Sequence, residues 1–78
     1  MPRPEKTFRL GHCSASVFVN QGKEKGNSFR SVSLQRRYKD GDEWKSSTNF
    51  SLADLPHAIT VLQWAMNHIA ELEADVDE

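Results

Sequence analysis

The sequence predicts an α+β fold: an antiparallel sheet of three to four strands followed by one long C-terminal helix. A change of hydrophobic period near residue 50 carries that prediction. Up to Phe50 apolar residues alternate with polar ones, the period of a half-buried strand, and from Ser51 they recur every three or four residues, the period of a helix. Charge changes at nearly the same point. Residues 1–45 hold all ten Lys and Arg against five acids, a net of +5, whereas residues 46–78 hold six acids and no Lys or Arg, a net of −6. The overall charge of −1 therefore conceals one strongly basic half.

The chain divides into a flexible N-terminus (1–6), a sheet (7–50), a helix (51–72) and an acidic tail (73–78). In the first strand, Thr7 to Val19, Cys13, Ala15, Val17 and Val19 share one face and Ser14, Ser16 and Phe18 the other. Gly11 interrupts this strand where a bend or bulge lets it turn a corner. Asn20 to Ser28 is polar and holds two glycines, so it reads as a loop. Alternation resumes from Phe29 to Tyr38, with Val32 and Leu34 inward and Phe29, Ser31, Ser33, Gln35 and Arg37 outward. The stretch Lys39-Asp40-Gly41-Asp42 supplies a hairpin turn, because glycine accepts positive φ without a steric penalty. A further strand runs from Glu43 to Phe50.

The helix begins at Ser51, which with Asp54 three residues later resembles a capping box, and Pro56 lies in the first turn, where its missing N–H is harmless. Leu55, Ile59, Leu62, Met66, Ile69 and Leu72 form one apolar stripe, assigned to packing on the sheet. Val61, Trp64, Ala65 and His68 form a second, broader than a small sheet can cover. This second stripe is assigned to a homodimer interface; the competing reading is that Trp64 caps the edge of the core. Self-association suits a chain of 78 residues, because a domain of this size buries only about 60% of its unfolded surface.

Composition narrows the function classes. One cysteine, Cys13, permits no intramolecular disulfide and no cysteine-based zinc cluster. With no long apolar run and no signal-peptide core in Met1 to Lys6, the chain reads as cytosolic, in a bacterial-type cytosol or nucleoid, with no membrane partner. An enzyme is not expected. His12 and Cys13 are adjacent, so in a strand they face opposite ways, and His57 and His68 stand eleven residues apart on one helix, too far to share a metal. No cofactor, metal or small-molecule substrate is called for. Asp40, Asp42 and Glu43 cluster as a metal-dependent nuclease would require, but at a hairpin tip they serve turn chemistry.

The basic half is the stronger signal. An outward sheet face carrying Phe18, Phe29 and Arg37 among small polar residues has no core to build. Exposed aromatics stack unpaired bases and cations neutralise phosphates, whereas reading a duplex would call for a basic helix that this chain lacks. An ordinary solvated face is the competing reading. Tyr38 and Trp44 could equally form a cross-strand pair that holds the hairpin.

Three motifs then resemble the single-stranded-DNA-binding domain of the transcriptional positive cofactor four family, within the whirly-like group of single-strand binders. "FRLGH" (Phe8 to His12) resembles the family's opening, "RRYKDGDEWK" (Arg36 to Lys45) its strand end and acidic glycine turn, and "TNFSLADLPHAITVL" (Thr48 to Leu62) its approach to the C-terminal helix. The resemblance spans about residues 8–72. It implies a strongly curved sheet, a homodimer joined through helices and sheet edges, channels for single-stranded DNA, and an accessory role in transcription or replication. By position it places Phe8, Arg9 and His12 near the first bend, Lys23 and Lys25 in the first loop, Arg36, Arg37 and Tyr38 at the second strand's end, and Trp44 and Lys45 along the third. One departure stands out: Ser46-Ser47-Thr48-Asn49 replaces the family's basic stretch before the helix.

The combined expectation is a sequence-tolerant binder of single-stranded nucleic acid. Lys23, Lys25, Arg37 and Lys45 meet phosphate, Phe18, Phe29 and Trp44 stack on bases, Arg36 and Tyr38 belong to the same binding surface, with Tyr38 shared between the turn and the bases, and the tail Glu71 to Glu78 competes for the basic surface. The rival expectation is a protein-interaction module that uses the helix and the acidic tail.

Overall fold

The computed structural model describes residues 3–21 and 28–74. Four antiparallel strands in chain order, β1 (Lys6–Leu10), β2 (Cys13–Gln21), β3 (Ser28–Asp40) and β4 (Glu43–Ser47), form one sheet, and α1 (Leu55–Glu73) follows. This is the expected α+β class, at the four-strand end of the range. Among the described residues no helix is long and apolar enough to cross a membrane.

Gly11 does more than bend a strand. Leu10 pairs with Cys13, so Gly11 and His12 are the two central residues of a hairpin, and the expected first strand is really two. Gly11 has φ +60 and Gly41, in the matching place between Asp40 and Glu43, has φ +64. Positive φ at the first central position is what lets a two-residue turn follow the twist of its strands. Gly11 is also pressed by a neighbour: a Cβ there would lie 2.7 Å from His57 Nδ1 of the helix.

The register sorts the side chains between two faces. Cys13, Ala15 and Val17 of β2 align with Leu10, Phe8 and Lys6 of β1 and with Arg36, Leu34 and Val32 of β3, and these point toward α1. Tyr38, Lys45 and Ser47 continue that helix face. The opposite, open face carries Thr7, Arg9, Ser14, Ser16, Phe18, Phe29, Ser31, Ser33, Gln35, Arg37, Lys39, Trp44 and Ser46.

The core is six small side chains, Cys13, Ala15, Val17, Ala58, Val61 and Ala65, with Phe8, Leu10, Leu34, Phe50 and Ile69 half-buried around them. This corrects the stripe assignment. Val61 and Ala65, expected at a dimer interface, are 0% exposed inside their own chain, while Ile59 and Met66, expected on the sheet, are 55% and 60% exposed. Alanines let the helix axis approach the sheet closely, and the bulkier stripe, rotated by roughly a quarter turn at 100° per residue, is carried to the flank. Trp64 and His68 of the interface set sit beside Phe8 of β1, with ring centroids 6.4 and 5.9 Å away. Leu55, Ile59, Leu62 and Met66 thus occupy the other flank, above the β3 side.

The helix also begins later than expected. Residues 52–54 form a turn before Leu55. Half of the capping box is present: Ser51 N–H and Oγ both donate to Asp54 Oδ2, at 3.2 and 2.8 Å, but the hydroxyl does not cap the Asp54 amide. These two bonds, with Arg36 nearby, hold the Asp54 carboxyl below its usual range. The last strand ends at Ser47, releasing Phe50 to pack against the core.

Candidate nucleic-acid interface

The two faces differ in how their charges are used. On the helix face Arg30, Arg36 and Lys45 have carboxylate partners, and Lys6 lies over the Phe8 ring, 5.9 Å from its centroid. Arg30 grips Glu5 with two bonds, Nε to Oε1 at 2.9 Å and Nη2 to Oε2 at 3.2 Å, and reaches Glu73 of α1 at 3.1 Å. His68 Nε2 joins at 3.3 Å from Glu5, so the N-terminal segment, β3 and the helix end meet at one carboxylate. The Arg30 guanidinium, then His68, hold the Glu5 carboxyl below its usual value, and Glu5 with Glu73 raises Arg30. Arg36 donates to the Asn49 carbonyl at 3.0 Å and lies 3.4 Å from Asp54. Lys45 is 3.0 Å from Asp40.

On the open face the strands carry Arg9, Arg37 and Lys39 and no carboxylate, and among the described residues none of the three has an acidic partner. The Arg37 guanidinium lies over the Trp44 ring, 5.3 Å from its centroid, in a cation–π pair. Trp44 and Phe29 are each 56% exposed. Between them runs a hydroxyl-rich strip in which Thr7 Oγ1 meets Ser16 Oγ at 3.2 Å and Asn20 donates to Ser31 Oγ at 2.8 Å. Trp44 lies opposite Lys39 and Phe18 opposite Ser31, so the two aromatic ends are about 26 Å apart at 3.3 Å per residue.

Two grooves open near Trp44. One, of about 380 Å³, is lined by Arg9, Gly11, His12, Cys13, Ser14, Arg37 and Trp44. The other, of about 330 Å³, is lined by Gln35, Ser46, Ser47, Thr48 and Asn49, none of them charged. Ser46 of the second is the cross-strand partner of Arg37 in the first, so the grooves adjoin.

Of the residues singled out for nucleic acid, the open face brings together Phe18, Phe29, Arg37 and Trp44. Arg36, Tyr38 and Lys45 lie on the helix face, where Arg36 also stacks on Tyr38 at 5.2 Å, because neighbouring residues in a strand point opposite ways. Lys23 and Lys25 fall outside the described residues, as does the tail from residue 75. Arg9 and Lys39 were not assigned contacts from sequence; their alternation with Thr7 and Arg37 was the available signal. Cys13, whose thiol is pushed up by burial and then by Asp54, donates toward the Asp54 carbonyl at 3.6 Å and is packed inside the core. Among the described residues no three His, Cys, Asp or Glu side chains are grouped to hold a metal ion. Set against models of protein families, curated proteins and solved structures, the chain matches none of them.

Proposed function

We propose that the protein binds single-stranded nucleic acid, with little dependence on sequence, across the open face of its sheet, and that it does so as a homodimer. The observation that carries the proposal is the sorting of charge: on the helix face Arg30, Arg36 and Lys45 pair with carboxylates and Lys6 with the Phe8 ring, while Arg9, Arg37 and Lys39 stand beside exposed aromatics on a face whose strands carry no carboxylate. Phosphates would be met by these cations and bases by Trp44, Phe29 and Phe18. Loss of one stacked base costs about 1–3 kcal/mol, so Trp44→Ala should weaken binding at least severalfold.

The test is a fluorescence-anisotropy titration with a labelled single strand and its duplex over a range of salt. Three phosphate contacts per protomer give a slope of log K against log salt of about −2. Arg37→Glu should abolish binding, and Lys45→Glu, on the other face, should leave it nearly unchanged. A flat salt response or a preference for duplex would overturn the proposal.

The dimer rests on the exposed flank of Leu55, Ile59, Leu62 and Met66, with Val32 of β3 exposed on the same, helix-bearing side of the sheet. Among the described residues, a single-chain core of six small side chains leaves this surface uncovered. Sedimentation should show a dimer that Met66→Glu converts to a monomer. A wild-type monomer would instead favour the second reading, in which the same flank and the acidic helix end dock another protein.

A further inference from the structure

The uncharged groove deepens the proposal above, on which it rests. Apart from Gln35 it is built from Ser46 to Asn49, the stretch that stands where the family this chain resembles has basic residues. Its lining, Gln35, Ser46, Ser47, Thr48 and Asn49, offers two carboxamides and three hydroxyls, and no ion to hold a phosphate. A phosphate would leave such a groove for the arginines next to it. A base edge would not, because its donors and acceptors are neutral and a carboxamide matches them as a donor–acceptor pair.

The groove is also held in place. Asn49 is anchored through its main chain at both ends of the residue: its N–H donates to Ser47 Oγ at 3.0 Å, and its carbonyl accepts from Arg36 Nε at 3.0 Å. Arg36 is itself fixed near Asp54 at the start of the helix. Among the described residues neither the Gln35 nor the Asn49 carboxamide has a hydrogen-bond partner. Ser46 is two residues from Trp44 on the same face, about 7 Å along the strand. A base stacked on Trp44 therefore delivers its neighbour, one or two nucleotides on, to the carboxamides.

We infer that this groove reads the identity of one base in the bound strand, with Gln35 and Asn49 hydrogen-bonding to its edge, and that it favours adenine. Adenine presents its N6 donor between two acceptors, N1 and N7, so a carboxamide can engage it in a bidentate manner from either edge. The arginines and aromatics remain indifferent to sequence. Phosphate and stacking contacts hold the strand, and the groove sets a preferred register along it.

The experiment compares four labelled single strands, each a uniform oligonucleotide broken by one central A, C, G or T, against the wild type, Gln35→Ala, Asn49→Ala and the double variant. The wild type should bind the adenine-containing strand at least about fivefold more tightly than the others. The double variant should bring all four within twofold while keeping the wild-type salt slope and an unchanged amide NMR spectrum outside the groove. Equal binding of all four strands by the wild type would overturn the inference and leave the strand-binding reading intact, as would a preference for another base that survives in the double variant. Failure of any strand to bind at low salt would overturn the strand-binding reading and the inference with it.

Discussion

Glycine at residues 11 and 41 shows how one backbone angle is used under two different constraints. Both residues occupy positive φ at the first central position of a two-residue hairpin, a region in which a side chain costs roughly 1–2 kcal/mol. At Gly41 nothing lies within 4 Å of an added Cβ, so Gly41→Ala carries only that conformational penalty. At Gly11 the added Cβ would also meet the His57 ring at 2.7 Å, against the first turn of the helix. Gly11→Ala should therefore destabilise the protein by clearly more than Gly41→Ala in urea unfolding, with a gap of about 1 kcal/mol or more. Equal losses would mean that His57 swings away freely and that the turn does not brace the helix. Arg37 makes a related point about neighbours: Arg36 and Arg37 are chemically alike, yet one pins Asn49 and approaches Asp54 while the other lies open on Trp44.

The helix presents two apolar stripes and buries only one. The buried stripe is the smaller, Ala58, Val61 and Ala65, since close approach to β2 gains more contact from short side chains than from long ones held at a distance. Val61→Ala removes two carbons from the centre of a six-residue core and should cost about 2 kcal/mol, which for a domain of this size lowers Tm by roughly 10 °C. The loss should be independent of protein concentration in thermal melts followed by circular dichroism. Met66→Ala, on the exposed flank, should show a loss that grows with protein concentration, as mass action requires of an assembly contact. A concentration-independent loss for both would place Met66 in the single-chain core and remove the assembly surface. Much of this was legible early: the helix, its stripes and the hairpin turns follow from period and from glycine. The choice between stripes was not, because hydrophobicity alone does not encode how closely two elements approach.

At the scale of the molecule, the described chain is a plate of 51 × 30 × 15 Å with a radius of gyration of 15.0 Å, against about 11.5 Å for a compact chain of this length. Its ends are tied to its middle by polar bonds more than by bulk. Glu5, with Arg30, His68 and Glu73, clasps the N-terminal segment to β3 and the end of the helix, and Asp54 ties the start of the helix to Ser51 and Arg36. Both carboxyls are held below their ordinary values of 4.5 and 3.8, so their stabilisation is fully present above those values and is lost as pH falls through the lowered ones. Tm should stay level from about pH 7 to 5 and drop below about pH 4. Glu5→Gln should reduce Tm at neutral pH and make the acid drop shallower. An acid profile identical to the wild type would show that the clasp contributes nothing.

Alternation, the change of period at residue 50 and the placement of glycines were sufficient to specify an antiparallel sheet followed by a helix, because each rests on local backbone geometry that neighbouring residues impose on one another. The division of lysines and arginines from acids along the chain was equally plain. Three-dimensional pairing settled the rest. Hairpin reversal at Gly11, register between β3 and β4, and the depth of the alanine stripe determined that Arg9, Arg37, Lys39 and Trp44 share one open face while Arg36, Tyr38 and Lys45 turn to the other. These are relations between residues distant in the chain, and a shift of one residue in register would exchange the two sets.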